Sequence, residues 1–336
     1  MVTPRTEFGL FIPNRGIPLG TLPMQEYLAL AEVADRSEIL DSLWVGDSIV
    51  SKPRLESVAL LSALAVKTRR VKLGVACMAT FVQRHPLLFG LQWASLDIIS
   101  GGRSILAACM GYPADQIEHA ARELDAMGVR TEDRPARLIE HIKILRRLWT
   151  GEETSYRGRF YNLDRVTLDV KPVQQPYPIW IASNPQVRRI GEQGLERALR
   201  RVARHADGWM TTVLPPEEFV KRWARVQAMA REEGRALDPR ATILIYNLTV
   251  NPNRDAAYDE TCRFLADYYR RELPSEMVRV WCEWGTADQC AETMQRYVDT
   301  GCGAIVVRMC SWDQRGQIKK FVDEVLPRVK RRALAA

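Results

Sequence analysis

The sequence alternates short apolar runs with longer segments of helical periodicity, and the alternation continues over the whole chain. The short runs are rich in Val, Ile, Leu and aromatic residues, as strands buried on both faces are. Eight such runs lie at 8–13, 43–46, 71–78, 104–109, 177–182, 208–213, 242–250 and 304–309. Eight strands, each followed by a helix, predict an α/β fold, a closed (β/α)8 TIM barrel. An open doubly wound sheet gives a similar alternation, but the strand count favours the barrel.

The length fits one large domain, because α/β barrels often exceed the usual domain size. We therefore predict a single barrel domain over residues 1–336, with insertions at about 112–130, 152–176 and 252–286. The second insertion contains a polar hairpin at 154–168 whose turn is Arg157-Gly158-Arg159.

Composition narrows the class of protein. The net charge is +7, but the basic residues are spread thinly, so solvated helix faces explain them better than a nucleic-acid tract. The 7 cysteines form no C-x-x-C pair, which argues against a zinc ribbon or a disulfide framework. The start of the chain lacks a signal-peptide pattern, and no apolar run reaches the length of a membrane span. We predict a soluble cytoplasmic protein that binds neither nucleic acid nor membranes.

Several catalytic motifs are missing from the sequence. It contains no G-x-G-x-x-G after the first strand, no Walker A sequence, no G-x-S-x-G elbow and no H-E-x-x-H. The 4 histidines lie far apart, so we predict no metal site. An enzyme with so few reactive motifs usually takes its chemistry from a coenzyme. In a barrel that coenzyme would lie where the carboxyl ends of the strands meet the following loops.

Several short blocks, in this order and spacing, resemble the bacterial luciferase-like family of flavin-dependent oxidoreductases. The blocks are SLWVGDS (42–48), RHP (84–86), LDIISGGR (96–103), PIWIAS (178–183), ADGW (206–209) and GT (285–286). The likeness extends from about residue 8 to residue 328.

The resemblance implies a barrel that binds a flavin-type coenzyme at its mouth and assembles as a homodimer or homotetramer. Our main expectation is a two-component monooxygenase that uses O2 and reduced FMN, supplied by a separate flavin reductase, on a small organic substrate. The alternative is a hydride-transfer enzyme that uses an 8-hydroxy-5-deazaflavin coenzyme without oxygen. A third possibility is a barrel that binds flavin without catalysis.

The resemblance also implies a set of coenzyme-binding residues. Cys77 and Met78 match the place where relatives press a peptide bond, often a non-proline cis bond, against the ring; they could equally be packing residues. Ser183 and Asn184 match a phosphate-binding turn, and either could also cap the following helix. The remaining candidates at strand ends are Thr80, Met110, Tyr112 and Trp209.

Three residues are candidates for acid–base chemistry. Asp47 ends the second strand, and many relatives have a catalytic histidine at the next position, where this chain has Ser48. This departure argues against a mechanism that needs an imidazole base there, so it favours the FMN-dependent monooxygenase over the deazaflavin enzyme. His85 precedes a proline at a helix start, where a structural role is the common one.

Two further polar residues at strand ends are candidates for substrate contacts. Asn14 follows the first strand, and Arg308 lies near the end of the eighth. Arg308 could bind a substrate anion or belong to a structural ion pair.

Overall fold

A computed structural model describes residues 5–112 and 117–331, and every structural statement below concerns those residues. The strands are β1 (Glu7–Phe11), β2 (Ser42–Val45), β3 (Lys72–Val75), β4 (Ser104–Ala108), β5 (Thr154–Arg157), β6 (Asn162–Val166), β7 (Ile179–Ala182), β8 (Gly208–Thr212), β9 (Thr242–Val250), β10 (Cys282–Gly285) and β11 (Ala304–Met309).

The α-helices outside the strands are α1 (Gly16–Leu19), α2 (Met24–Arg36), α3 (Ser57–Lys67), α4 (Pro86–Ser100), α5 (Glu118–Ala126), α6 (Arg134–Leu148), α7 (Val187–His205), α8 (Pro216–Glu232), α9 (Arg254–Tyr269), α10 (Ser275–Trp281), α11 (Ala287–Asp299) and α12 (Gln314–Lys320). Three short 3-10 turns (81–83, 131–133 and 326–328) and a π-turn (321–325) complete the described secondary structure. None of these helices is long and apolar enough to cross a bilayer.

Eight parallel strands close the barrel, as predicted. Their order around the ring is β1, β2, β3, β4, β7, β8, β9 and β11, and β11 pairs with β1. The strand positions agree with the predicted runs to within a few residues, because each run is covered on both faces and ends at a polar or glycine-containing loop.

The three predicted insertions carry additional elements. The first contains α5, although residues 113–116 of the predicted helical stretch lie outside the described residues. The second contains the antiparallel hairpin of β5 and β6, and the third contains α9, α10 and β10, which extends the upper half of β9. That third insertion brings the end of α9 over the strand ends.

The core has two layers, because alternate residues of each strand face opposite sides. One set packs between the strands and the helices. The other set fills the barrel interior and continues under α9 and α10; on the strands it includes Phe11, Trp44, Ala107, Met210, Ile243 and Val306. Trp44 occupies space left by Gly74 on the neighbouring strand, where an added Cβ would come within 2.3 Å of the indole ring. The barrel is a packed core with its open end at the carboxyl ends of the strands.

Candidate active site at the barrel mouth

The mouth is formed by the loops that follow the strands. The peptide bond between Ala76 and Cys77, directly after β3, is cis, which is the conformation that the family resemblance implies at this place. Cys77 is half-buried and belongs to the interior layer, whereas Met78 is fully buried in the helix-facing layer. In the structure, Cys77 therefore lies at the mouth and Met78 lies on the helix-facing side of the strand.

Asp47 is the centre of a hydrogen-bond network under the mouth. Its carboxylate accepts bonds from Ser57 Oγ (2.8 Å), Thr80 N (2.7 Å) and Thr80 Oγ1 (2.8 Å), and Arg84 lies 3.3 Å away. The side chain of Asp47 is almost wholly buried. With these partners the carboxylate connects the loops after β2 and β3, and the catalytic role of Asp47 and the coenzyme contact of Thr80 stay predictions.

Two other predicted site residues make structural contacts. His85 is exposed and caps α4, where its Nδ1 accepts the bond from Leu87 N; this contact is structural, and its catalytic role stays a prediction. Trp209 is fully buried between β8 and α8, stacked on Phe219 and Trp223, and its ring N–H donates to Ser183 O. Its position in the sequence is near the mouth, but the strand alternation turns the ring away from it.

The loop after β2 is held in a fixed conformation by a carboxylate on α5. Glu123 Oε2 accepts hydrogen bonds from the backbone N–H groups of Ile49, Val50 and Ser51, at 2.7–2.9 Å. Burial opposes the charge of Glu123, but these bonds outweigh it and lower the pKa of the carboxyl group. The hydroxyl of Ser48 donates to the Lys52 carbonyl and so tightens the same loop. Ser48 thus helps to form this loop, and its catalytic role stays a prediction.

This loop places Lys52 at the mouth. Its ammonium nitrogen lies 3.4 Å from the ring centroid of Tyr112 and 4.6 Å from that of Tyr269. The side chain is 5% exposed. Burial, followed by the charges of nearby arginines, lowers the pKa of Lys52 well below its usual value. A lysine with a lowered pKa gives up its proton more readily than an exposed lysine.

Three guanidinium groups converge on the ring of Tyr268, at the end of α9. Arg308 lies 4.5 Å from the ring centroid, Arg15 lies 5.6 Å away and Arg54 lies 6.0 Å away. Burial raises the pKa of the Tyr268 hydroxyl, but the three guanidinium charges outweigh it and lower that pKa. We call Arg15, Arg54 and Arg308 the arginine cluster.

Gly46 makes room for the arginine cluster. A Cβ at this position would lie 1.5 Å from Arg54 Nη1. We expect Gly46→Ala to destabilise the protein by about 1–3 kcal/mol, because the added methyl group overpacks a filled space. Urea unfolding measures this loss. In an Arg54→Ala background the same substitution should cost less than half as much, and an equal cost in both backgrounds would show that another clash is responsible.

The opposite part of the mouth carries half-buried groups on β3, β4 and β7. The thiols of Cys77 and Cys109 interact: Cys77 donates to Cys109, which raises the pKa of Cys77 and lowers that of Cys109. Met110 is half-buried at the end of β4. Ser183 and Asn184 follow β7, and neither side chain caps α7.

A buried hydroxyl beside this turn has no hydrogen-bond partner among the described residues: Oγ1 of Thr211, on β8. Ser183 N donates to the carbonyl of Met210, the residue before Thr211, so the turn and this hydroxyl are neighbours. The half-buried hydroxyl and amide groups of Ser183 and Asn184 are donors that fit the phosphate of a flavin-type coenzyme, whereas Thr211 has the same helix-facing position on the strand as Trp209.

The two predicted substrate residues have different positions. Asn14 is fully buried and bridges to Gly46, accepting from its N–H and donating to its carbonyl, so it joins the loops after β1 and β2 and its predicted substrate contact is wrong. Arg308 shares the interior face with Val306 and points towards the mouth, where it donates to Asn247 Oδ1 (2.9 Å) and Tyr269 Oη (3.1 Å). No carboxylate is within ion-pair distance of it in the described chain.

Sequence reasoning missed Lys52, Arg54 and the two tyrosines at the end of α9. A signal existed in part: Lys52 and Arg54 lie in the same strand-following loop as Asp47, within seven residues of it. No local pattern indicates Tyr268 and Tyr269, because only the third insertion brings them over the mouth.

Comparison with known proteins shows which family the chain belongs to. Residues 6–303 match the sequence family described as luciferase-like monooxygenase. The chain belongs to this family. It is an oxidoreductase, and the resemblance recognised from its sequence blocks is confirmed.

Two relatives depend on F420, which is an 8-hydroxy-5-deazaflavin coenzyme. An F420-dependent glucose-6-phosphate dehydrogenase of Amycolatopsis mediterranei is 26% identical over 323 residues, which cover 90% of this chain and 94% of that protein. The protein of the same name from Kineococcus radiotolerans is 26% identical over 340 residues, with 93% and 96% covered.

Solved structures confirm the fold. An F420-dependent secondary alcohol dehydrogenase in complex with an F420–acetone adduct has a TM-score of 0.76 at 18% identity, covering 97% of this chain and 99% of that one. A monooxygenase from Streptomyces bottropensis has the same TM-score at 22% identity, covering 96% and 99%.

These relatives overturn the main functional expectation, a monooxygenase that uses reduced FMN and a separate reductase. The expectation depended on Ser48 in place of a histidine. That argument concerned one possible base, whereas a coenzyme is selected by all the residues that contact it. The absence of an imidazole therefore carried no information about the coenzyme.

Proposed function

We propose that this protein is a deazaflavin-dependent dehydrogenase that exchanges a hydride between the coenzyme and a carbon bearing a hydroxyl group on a small substrate. The observation that carries the proposal is the deazaflavin dependence of the relatives over nearly their whole length. The donor groups of Ser183 and Asn184 after β7 and the half-buried surface at Cys77 support it, because they fit such a coenzyme. When bound, the deazaflavin would supply the hydride acceptor.

In this proposal the residues on β3, β4 and β7 hold the coenzyme. Cys77 contacts the ring, and Ser183 and Asn184 bind its phosphate; a ring contact by Met110, which packs against the helix-facing layer, stays a prediction. Tyr112 forms the wall between ring and substrate, because its aromatic face is already covered by the Lys52 amine on one side.

The substrate hydroxyl must lose a proton when its carbon gives up a hydride. We assign the acceptor as Lys52, whose amine lies at the mouth between the rings of Tyr112 and Tyr269 and whose pKa is lowered by burial. Tyr112 and Tyr269 restrict the position of the amine from two sides and exclude water from it. This assignment gives the chain a base in the loop where many relatives have a histidine.

Coenzyme binding tests the proposal. We expect the purified chain to bind the deazaflavin at least tenfold more tightly than FMN, as measured by absorbance or fluorescence titration. Anaerobic addition of substrate should then bleach the oxidised coenzyme; glucose 6-phosphate and propan-2-ol are the first two probes. Tighter binding of FMN, together with oxygen consumption, would refute the proposal.

Assembly as a homodimer or homotetramer and a cytoplasmic location stay predictions of this proposal. Sedimentation velocity of the purified chain measures the first.

A further inference from the structure

The arginine cluster carries more positive charge than the proposed hydride transfer needs. Arg15 is 1% exposed, and its Nε and Nη1 atoms are buried without a hydrogen-bond partner. Arg308 is 4% exposed, and its Nη2 is likewise unpartnered. Guanidinium groups taken out of water without partners are costly, so structures retain them where a ligand completes their hydrogen bonds.

The neighbouring carboxylates do not neutralise this charge. Asp47 is the carboxylate that acts on the charge of Arg54, and its oxygens are already used by Ser57, Thr80 and Arg84. Glu118 lies on the rim and pairs with Arg122 at the surface. The hydroxyl of Tyr268 is the remaining acidic group at the centre of the cluster, and its lowered pKa reflects the unbalanced positive charge around it.

A cavity reaches the cluster from outside. It has a volume of about 210 Å³, and its lining includes Arg15 of the cluster together with Lys52, His119, Tyr269, Arg270 and Arg271. The space accommodates a small charged group. Its lining is strongly basic, which focuses a positive potential at the entrance.

The position in the barrel separates this cavity from the phosphate turn of the coenzyme. Arg15 follows β1, Arg54 follows β2 and Arg308 lies on β11, so the cluster covers three adjacent strands. The turn at Ser183 follows β7, which is four strands from β1 in either direction around the ring. An anion in the cluster therefore lies across the mouth from the coenzyme phosphate, on the far side of the proposed ring position.

We infer that the arginine cluster is a binding site for a doubly charged oxyanion of the phosphate-monoester type, carried by the substrate. Three fixed guanidinium charges with free N–H donors match a tetrahedral dianion better than a single carboxylate. As a statement about the substrate this inference rests on the proposed function, but the anion site itself does not. It also makes Lys52 more basic once the anion is bound, since the added negative charge offsets the nearby arginines.

Inorganic phosphate tests the site on the full chain without coenzyme. At constant ionic strength we expect calorimetry to show phosphate binding with a submillimolar Kd, and acetate binding at least tenfold more weakly. Arg308→Gln and Arg54→Gln should each weaken phosphate binding at least tenfold. Arg240→Gln, at an exposed arginine paired with Asp238 at the start of β9, is the matched control and should leave it unchanged.

Three results would overturn the inference. Phosphate affinity that is equal in wild type and both cluster variants would place the anion elsewhere. Equal affinity for acetate would refute a dianion site. A tenfold loss of deazaflavin affinity in Arg308→Gln would show that the cluster holds the coenzyme. Because phosphate binding is measured without coenzyme, its failure is distinguishable from failure of the proposed hydride transfer.

Discussion

Lys52→Met is expected to lower the single-turnover rate of deazaflavin reduction by about 100- to 10,000-fold, the usual contribution of a positioned general base. The side chain of methionine fills a similar space between Tyr112 and Tyr269 but cannot accept a proton. The affinity for the coenzyme should stay within twofold, because the coenzyme-binding residues proposed above lie on other strands. Stopped-flow absorbance under anaerobic conditions measures the rate.

The pH dependence separates a base from a packing residue. The lowered pKa of Lys52 means that the amine loses its proton as the pH rises through that value, so the wild-type rate should rise and then level off below the usual pKa of lysine. The groups that face the amine are Tyr112 and Tyr269, and the arginines at positions 15, 54, 271 and 308 lower its pKa and so the pH at which the rate rises. In Lys52→Met this rise of the rate with pH should vanish, and Lys52→Arg should not restore the rise.

Lys67→Met is the matched control, because this lysine is half exposed on α3 and pairs with Glu32. A Lys52→Met enzyme that keeps the wild-type rate and pH profile would show that another group accepts the proton.

The fold was predictable because its determinants are local. A strand covered on both faces needs a continuous apolar run, and a helix needs the 3.6-residue period, so each element is visible within ten to twenty residues of sequence. The break in α7 was not visible: Gly191 has φ of +66° inside this helix, and nothing in the surrounding residues distinguishes it from an ordinary helical glycine.

The site was predictable only to the level of strand ends. The sequence shows where a strand stops, but neighbouring residues there face opposite layers, and a shift of one position separates the mouth from the core. Cys77 faces the interior while Met78 does not, and Trp209 faces α8.

The residues that make this mouth distinctive come from separate segments. Arg15, Arg54, Tyr268 and Arg308 span nearly 300 positions, and the contacts between them exist only after the third insertion folds over the strands. Their charge was visible in the sequence as part of a net +7 that looked evenly spread. Its concentration at the mouth is a property of the tertiary structure.

Asp47→Ala is expected to destabilise the protein by about 3–5 kcal/mol, because it removes the acceptor of three buried hydrogen bonds and one partner of Arg84. The donors on Ser57 and Thr80 would be left in a space that water enters poorly. Asp47→Asn should lose less stability, since its amide oxygen still accepts a hydrogen bond. Some loss should remain, because its NH2 group faces other donors. Urea unfolding monitored by tryptophan fluorescence measures both variants.

The comparison with a surface carboxylate decides what Asp47 does. Asp238→Ala removes an exposed partner of Arg240 and should cost less than about 1 kcal/mol. If Asp47 connects the loops, its loss should also displace Lys52, since the loop that carries Lys52 begins at Asp47, and the rate of hydride transfer should fall together with stability. An Asp47→Ala protein with wild-type stability and a slow reaction would instead make Asp47 a catalytic residue, because only a group outside the folding network can be removed at no cost to the fold.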